Sequence, residues 1–274
     1  LFSEDLFEIL SFESPEQIIT SFSGQTGINI RSHLEAPFRK KHQEFNFLGP
    51  SLELLDTVED RKRFDSLTKE VPLSHTTSKE VRGYKNFINA ITEVGFPVII
   101  RPSYVIGGES MFIFEGPEDI ENLPDQILKS LHENSIVFQV ENYISGALEY
   151  DVDLIRDKNG NTVFTVCEHI EYAGVHSGDS GMISPPAKAN DNTINKMREL
   201  ACQMADIMKI TGPVNFQFAL KGEDIYCIEA NPRGSRTIPF LSKAYDINLA
   251  AIATKALLGK EIETISNIKG DYHI

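Results

Sequence analysis

Residues 213–236, PVNFQFALKGEDIYCIEANPRGSR, constrain the fold of this chain more than any other stretch: two runs of mixed apolar and polar side chains flank a short polar link at 221–224. Alternation on both sides of a glycine-containing link is the pattern of an antiparallel hairpin with one face in a core. Which polar side chains share a face depends on the turn. An odd turn centred on Glu223 sets Gln217 opposite Glu229, puts Asn231 two residues further on the same side, and turns Phe216, Phe218, Tyr226 and Ile228 to the other face. A two-residue turn instead separates Gln217 from Glu229, leaving an edge strand with a solvated polar side and an Asn-Pro turn after it. In the first register one carboxylate and two amides make an oxygen donor set suited to Mg2+, which keeps several waters and takes one or two carboxylates plus substrate phosphates. Arg233 and Arg236 follow directly, placed to grip phosphate oxygens or an anionic product in fork geometry, and arginine beside a metal carboxylate points to phosphoryl transfer.

The remainder mixes helical and strand periodicities. Residues 1–70 read as short α/β units of an open sheet, with an amphipathic stretch at 6–9, an apolar run at 18–22, a helical segment and a short run at 45–48. Helices are expected at 60–70, at 78–95 with Tyr84, Phe87, Ile88 and Ile91 on one buried face, at 117–130, and at 191–209. In the last of these Met197, Leu200, Ala201, Met204 and Met208 form a stripe whose spacing is that of core. Strands are expected at 98–100, 111–114, 136–139, 150–155, 162–167, 214–220 and 225–230, with DKNGN at 157–161 as a hairpin turn and helical segments through Leu258.

At 274 residues the chain exceeds the usual single domain, so one large domain or two closely packed lobes is expected. A formal net charge of −14 repels phosphodiester backbones and anionic lipid, which argues against nucleic acid and membrane partners. The three cysteines, Cys167, Cys202 and Cys227, include no CxxC pair, so a reducing compartment is expected, the cytoplasm or the mitochondrial matrix. No apolar run approaches the roughly 18 residues of a membrane span.

Two further segments carry polar groups in suggestive order. In PVIIRPSYVIGGES, residues 97–110, a strand delivers Arg101, and Gly107 with Gly108 lets the backbone approach a ligand as a phosphate lid would, although a plain hairpin bend explains the pair as well. Neither GxxxxGK[ST] nor GxGxxG occurs, so a nucleotide site must be built differently. In EHIEYAGVHSGDSGMISPP, residues 168–186, the GDSG at 178–181 resembles the nucleophile segment of trypsin-like proteases, a reading excluded by the many helical segments. His169 and His176 stand seven apart without an HExxH arrangement, so zinc is not indicated.

Taken together, EDRKRF (59–64), GFPVIIRPSYVIGG (95–108), EHIEYAGVHSGDS (168–180), GPVNFQFALKGEDIYCIEANPRGSRTIPFLSKA (212–244) and GQT (24–26) resemble the ATP-grasp domain of the carbamoyl-phosphate synthase large chain, in its second, carbamate-phosphorylating half. The resemblance implies an α+β ATP-grasp fold: a partial pre-ATP-grasp α/β subdomain over 1–58, an ATP-grasp domain of two lobes clasping ATP over 59–260, and a tail over 261–274. It implies ATP and two Mg2+ or Mn2+ ions as cofactors, and carbamate or bicarbonate as substrate. Arg61 and Arg101 are then expected on the ATP phosphates, Arg101 standing where many ATP-grasp enzymes have lysine, with Gly107 and Gly108 as the lid. Asn142 and Ile144 are expected along the adenine, Glu149 on the ribose hydroxyls, and Gly174, Val175, His176 and Ser177 across the nucleotide. Gln217, Glu229 and Asn231 are expected to hold the metals, with Arg233 near the transferred phosphoryl group. Glu109 departs from the family, which often has a small or basic residue after the glycine pair. Because the family's opening strands, other half, oligomerisation region and allosteric domain have no counterpart here, the chain is expected to be a fragment. It would depend on those large-chain domains and on the glutaminase small subunit to make carbamoyl phosphate from bicarbonate and glutamine. Another ATP-grasp ligase working through an acyl phosphate, and a non-catalytic ATP-binding module, are the alternative readings.

Overall fold

The computed structural model describes residues 3–38, 45–102, 111–174 and 179–265. In chain order the elements are α1 (Ser3–Glu13), β1 (Ile18–Ile19), α2 (Gly24–Phe38), β2 (Phe47–Leu48), α3 (Leu52–Glu59), α4 (Arg61–Thr68), β3 (Ser78–Arg82), α5 (Tyr84–Val94), β4 (Val98–Pro102), β5 (Phe112–Phe114), α6 (Pro117–Glu121) and α7 (Asp125–His132). There follow β6 (Val137–Asn142), β7 (Leu148–Arg156), β8 (Thr162–Tyr172), β9 (Met182–Ile183), α8 (Asp191–Ile207), β10 (Gly212–Lys221), β11 (Asp224–Asn231), α9 (Thr237–Ala244) and α10 (Leu249–Leu257). The class is α+β, as expected. Contacts divide the chain into two compact units, Ser74–Ala147 and the two segments on either side of it, Leu1–Leu73 with Leu148–Ile274. No helix among the described residues is long and apolar enough to cross a membrane.

The unit Ser74–Ala147 is an antiparallel sheet in the order β3-β6-β4-β5, and its core gathers Phe87, Ile91, Ile100, Leu131, Phe138 and Val140. The helix expected at 78–95 begins only at Tyr84. Residues 78–82 pair with β6 as a strand instead, and Gly83, at φ 83°, lies outside helical backbone. The helix expected at 117–130 is two, because Pro124 lacks an amide hydrogen and disfavours helical backbone at Leu123.

The other unit is organised by a five-stranded antiparallel sheet in the order β11-β10-β7-β8-β9, with β1 and β2 forming a short parallel pair. On one face Tyr150, Val152 and Leu154 of β7 and Val214, Phe216, Phe218 and Leu220 of β10 pack on the Met197, Leu200, Ala201 and Met204 stripe of α8, which is core as its spacing requires. On the other, Ile155, Val163 and Cys167 pack on Ile238 and Leu241 of α9 and Leu249, Ala253 and Ala256 of α10. Ile262 is buried in this second cluster and Ile265 bridges to Val163, so residues 261–265 lie against β8.

Phe216 is fully buried, pairs with Val152 and stacks on Phe218 at 6.0 Å between ring centroids. Truncation there leaves a cavity at the centre of the larger core, and Phe216→Ala is expected to lower stability by about 3–5 kcal/mol. Urea unfolding checks this, with the midpoint moving and the slope unchanged.

Candidate functional site

The hairpin turn has two residues, Gly222 and Glu223, between the paired Lys221 and Asp224. Gly222 has φ 62°, at the first central position, where a II′ hairpin turn places glycine. The odd turn is therefore not found, and an uninterrupted ladder would pair Gln217 with Ile228. A β-bulge intervenes: Phe218 pairs with Cys227, but Gln217 pairs with Glu229, leaving Ile228 as the extra residue. Gln217 thus does face Glu229, by a different device from the one expected. Asn215 pairs with Asn231 one step further along the same face. The two-residue turn also corrects the apolar side: Cys227 and Ile225, rather than Tyr226 and Ile228, join Phe216 and Phe218 at the core.

Register extends this polar face across the sheet. Cys167, Asp151, Gln217 and Glu229 lie in one row over β8, β7, β10 and β11, and Thr165, Asp153, Asn215 and Asn231 in the next. Paired residues project to the same side, so the alternation that sends Tyr150, Val152 and Leu154 into the core sends Glu149, Asp151 and Asp153 here. All three carboxylates are buried, whereas Glu229 is exposed and Gln217 half-buried.

Their neighbours make that burial tolerable. His169 Nε2 lies 3.1 Å from Asp151 Oδ2, and Nδ1 lies 3.7 Å from Glu149 Oε1. The Asn215 amide donates to Asp151 Oδ1 at 3.0 Å and to Asp153 Oδ1 at 3.2 Å, while the Thr237 hydroxyl donates to Asp153 Oδ2. Burial raises the Glu149 carboxyl, opposed by His169 and by the Gly174 amide and reinforced by Asp151 and Glu229. Burial likewise pushes Asp153 up to about 6, against the hydrogen bond from Thr237. Asp151, Asp153, Asn215, His169 and Thr237 were not singled out as site residues from the sequence. The first two had a legible signal in the alternate acids of EYDVDL, 149–154, within a strand.

The expected site residues fall into three groups. Gln217, Glu229 and Asn231 share the polar face, and Gly174 meets Glu149. Arg233 closes on the same strand end, its Nη2 donating to Asn231 Oδ1 at 3.1 Å, and Arg236 is exposed at the start of α9. The chain between them is fixed by Gly234, whose amide donates to Ser21 O at 2.8 Å. Arg61 turns its guanidinium to β11, donating from Nη1 to Ile228 O at 2.9 Å. In the unit Ser74–Ala147, Arg101 Nη2 lies 2.6 Å from the buried Glu141 Oε2, whose other oxygen accepts from Thr76. Asn142 donates to Val94 O at 3.0 Å and accepts from the Thr77 amide at 3.2 Å, tying down the end of β6, with half-buried Ile144 two residues on. Gly107, Gly108, Val175, His176 and Ser177 lie outside the described residues.

Among the described residues no group of three or more His, Cys, Asp or Glu side chains is arranged to hold a metal ion. The set that fits a hard cation is Glu229 with Gln217 and Asn231, one carboxylate and two amide oxygens, which leaves coordination positions for water and phosphate.

The fold is the ATP-grasp fold. It resembles the biotin carboxylase of Campylobacter jejuni in complex with β,γ-ATP, at 19% identity and a TM-score of 0.76 over 96% of this chain and 59% of that one. It also resembles the N5-carboxyaminoimidazole ribonucleotide synthetase of Thermus thermophilus, at 15% identity and a TM-score of 0.74 over 96% of this chain and 67% of that one. A third relative is the biotin carboxylase domain of Hydrogenobacter thermophilus 2-oxoglutarate carboxylase with MgADP, ADP and bicarbonate, at 16% identity and a TM-score of 0.74, over 96% of this chain and 58% of that one. The chain thus spans 59% and 58% of the two carboxylase chains, and at these identities the likeness defines the fold. Residues 60–265 match the family of the carbamoyl-phosphate synthase L chain ATP-binding domain, and the chain belongs to that family.

Because Asp153 keeps its proton in the folded state up to about pH 6, against an ordinary value of 3.8, the folded state binds more protons than the unfolded chain in between. Its contribution to stability is therefore complete below about pH 4 and is lost as pH rises through 6. Melting curves of native protein and Asp153→Asn should diverge across that window, the native chain losing a few kcal/mol relative to the variant, and run parallel above it. Parallel curves throughout would place the titration elsewhere.

Proposed function

We propose that this chain phosphorylates carbamate with Mg-ATP, giving carbamoyl phosphate and ADP. The observation that carries the proposal is the bulge-set pairing of Gln217 with Glu229 beside Asn231, which gathers on one face the oxygen donors a triphosphate-bound cation requires. Membership of the carbamoyl-phosphate synthase family supports the choice of substrate. In this reading Gln217, Glu229 and Asn231 would hold two Mg2+ or Mn2+ ions, which when bound neutralise charge on the β and γ phosphate oxygens. Arg233 and Arg236 steady the transferred phosphoryl group, and Glu149, backed by His169 and the Gly174 amide, receives the ribose hydroxyls. Carbamate oxygen attacks the γ phosphorus and ADP leaves, so no protein nucleophile is needed and the chain contributes positioning and electrostatics.

The same proposal gives Arg61, Arg101 and the Gly107–Gly108 pair to the phosphates, Asn142 and Ile144 to the adenine, and Val175, His176 and Ser177 to the nucleotide. It also retains the division at residues 58 and 260, and the partners implied by the family: the remaining large-chain domains and a glutaminase small subunit.

The likeness to two biotin carboxylases and a carboxyaminoimidazole ribonucleotide synthetase favours a second reading, an ATP-grasp ligase that activates a different carboxylate as an acyl phosphate. ADP release with carbamate analogues against simple carboxylates separates the two, and ATP synthesis from carbamoyl phosphate and ADP shows whether the site turns over at all. In that assay Glu229→Ala is expected to lose about 10²-fold or more with its melting temperature unchanged. Turnover at the native rate in the variant would remove the metal reading of the hairpin.

A further inference from the structure

The register on which the polar face depends is not set by the hairpin itself. Its two-residue turn starts a ladder that would pair Gln217 with Ile228, and the bulge at Ile228 is what carries Glu229 to the side of Gln217 and Asn231. A bulge leaves its extra residue out of the ladder, so the backbone groups there need partners from elsewhere. For the Ile228 carbonyl that partner comes from the other end of the chain. Arg61 Nη1 donates to Ile228 O at 2.9 Å across 167 residues of sequence, and Arg61 Nε lies 3.2 Å from Asp65 Oδ1, one turn on in α4. Asp60 caps that helix, accepting from the Arg63 amide at 2.9 Å, which fixes where Arg61 leaves the backbone.

We infer that Arg61 is a positioning residue for Glu229, bracing the bulged carbonyl so that β11 keeps the register that delivers this carboxylate to the polar face. The guanidinium meets two demands at once, an ion pair through one nitrogen and a carbonyl through another, which the single nitrogen of a lysine at the same distance does not reproduce. The opposite register would turn Glu229 towards the side of Phe216, where an unpaired carboxylate is costly, so losing the brace loosens the bulge rather than inverting it. The inference rests on the metal reading of Glu229 only for its functional consequence; the brace itself is a statement about the backbone of β11.

Amide hydrogen exchange on the nucleotide-free chain tests it, comparing native protein with Arg61→Lys, Arg61→Gln and Asp65→Asn. Both Arg61 variants are expected to speed exchange across residues 227–229 by roughly tenfold, and Asp65→Asn by less, with the amides of α8 unchanged. Mn2+ affinity in the presence of ADP, read by electron paramagnetic resonance, should weaken in the same order. Native-like protection at 227–229 in all three variants overturns the proposal, as does an Arg61 variant that raises only the KM for ATP. Where an Arg61 variant does not fold, Asp65→Asn decides, and native-like exchange in it counts as refutation. Faster exchange with Mn2+ affinity unmoved in these variants and in Glu229→Gln alike leaves the brace standing and removes the metal reading instead.

Discussion

One residue too many in β11 decides which of its side chains share the polar face of the sheet. The Gln217–Glu229 pair exists because Ile228 is accommodated as a bulge between a two-residue turn and the strand end. Strand side chains alternate with period two, so a single-residue slip would exchange the entire set beyond it between core and polar face. The β11 residues beyond it, Glu229 and Asn231, inherit their position from this irregularity, as does the arginine that closes on Asn231.

The two faces of the sheet balance opposite physical demands. One is filled by Tyr150, Val152, Leu154, Phe216 and Phe218 against a methionine-rich helix, a packing that needs only shape and removal of apolar surface from water. The other buries Glu149, Asp151 and Asp153 on consecutive alternate positions, which is tolerable only with partners. His169, Asn215 and Thr237 supply them from β8, β10 and α9, three elements distant in sequence. Desolvation offsets much of what these pairings contribute, so such a network is weak evidence for stability.

Much of this was legible before any coordinates. The helical stripe of Met197, Leu200, Ala201 and Met204, the strands of the second half and the turn at 157–161 follow from local periodicity, since each side chain's face is set by its immediate neighbours along the chain. The strand at Ser78–Arg82 was not legible as one, because its five residues have no strong alternation and become a strand only by pairing with β6. The floor of the site was half visible: alternate acids in EYDVDL mark a polar strand face, but nothing local says that Asn215, His169 and Thr237 will meet them.

The sequence by itself determined the residue types of the site and the hairpin that carries them, because oxygen donors, a turn glycine and an apolar alternation are properties of short segments. Only the tertiary structure decided that Gln217 and Glu229 share a face. Local pattern favoured one register for an odd turn and the other for an even one, and the even turn is the one present. The outcome was settled by contacts from outside the hairpin, Arg61 on the Ile228 carbonyl and β7 along the other edge of β10. Those contacts stabilise a bulge that no stretch of the hairpin specifies alone, since a ladder interruption is favourable only where distant groups satisfy the backbone it leaves unpaired.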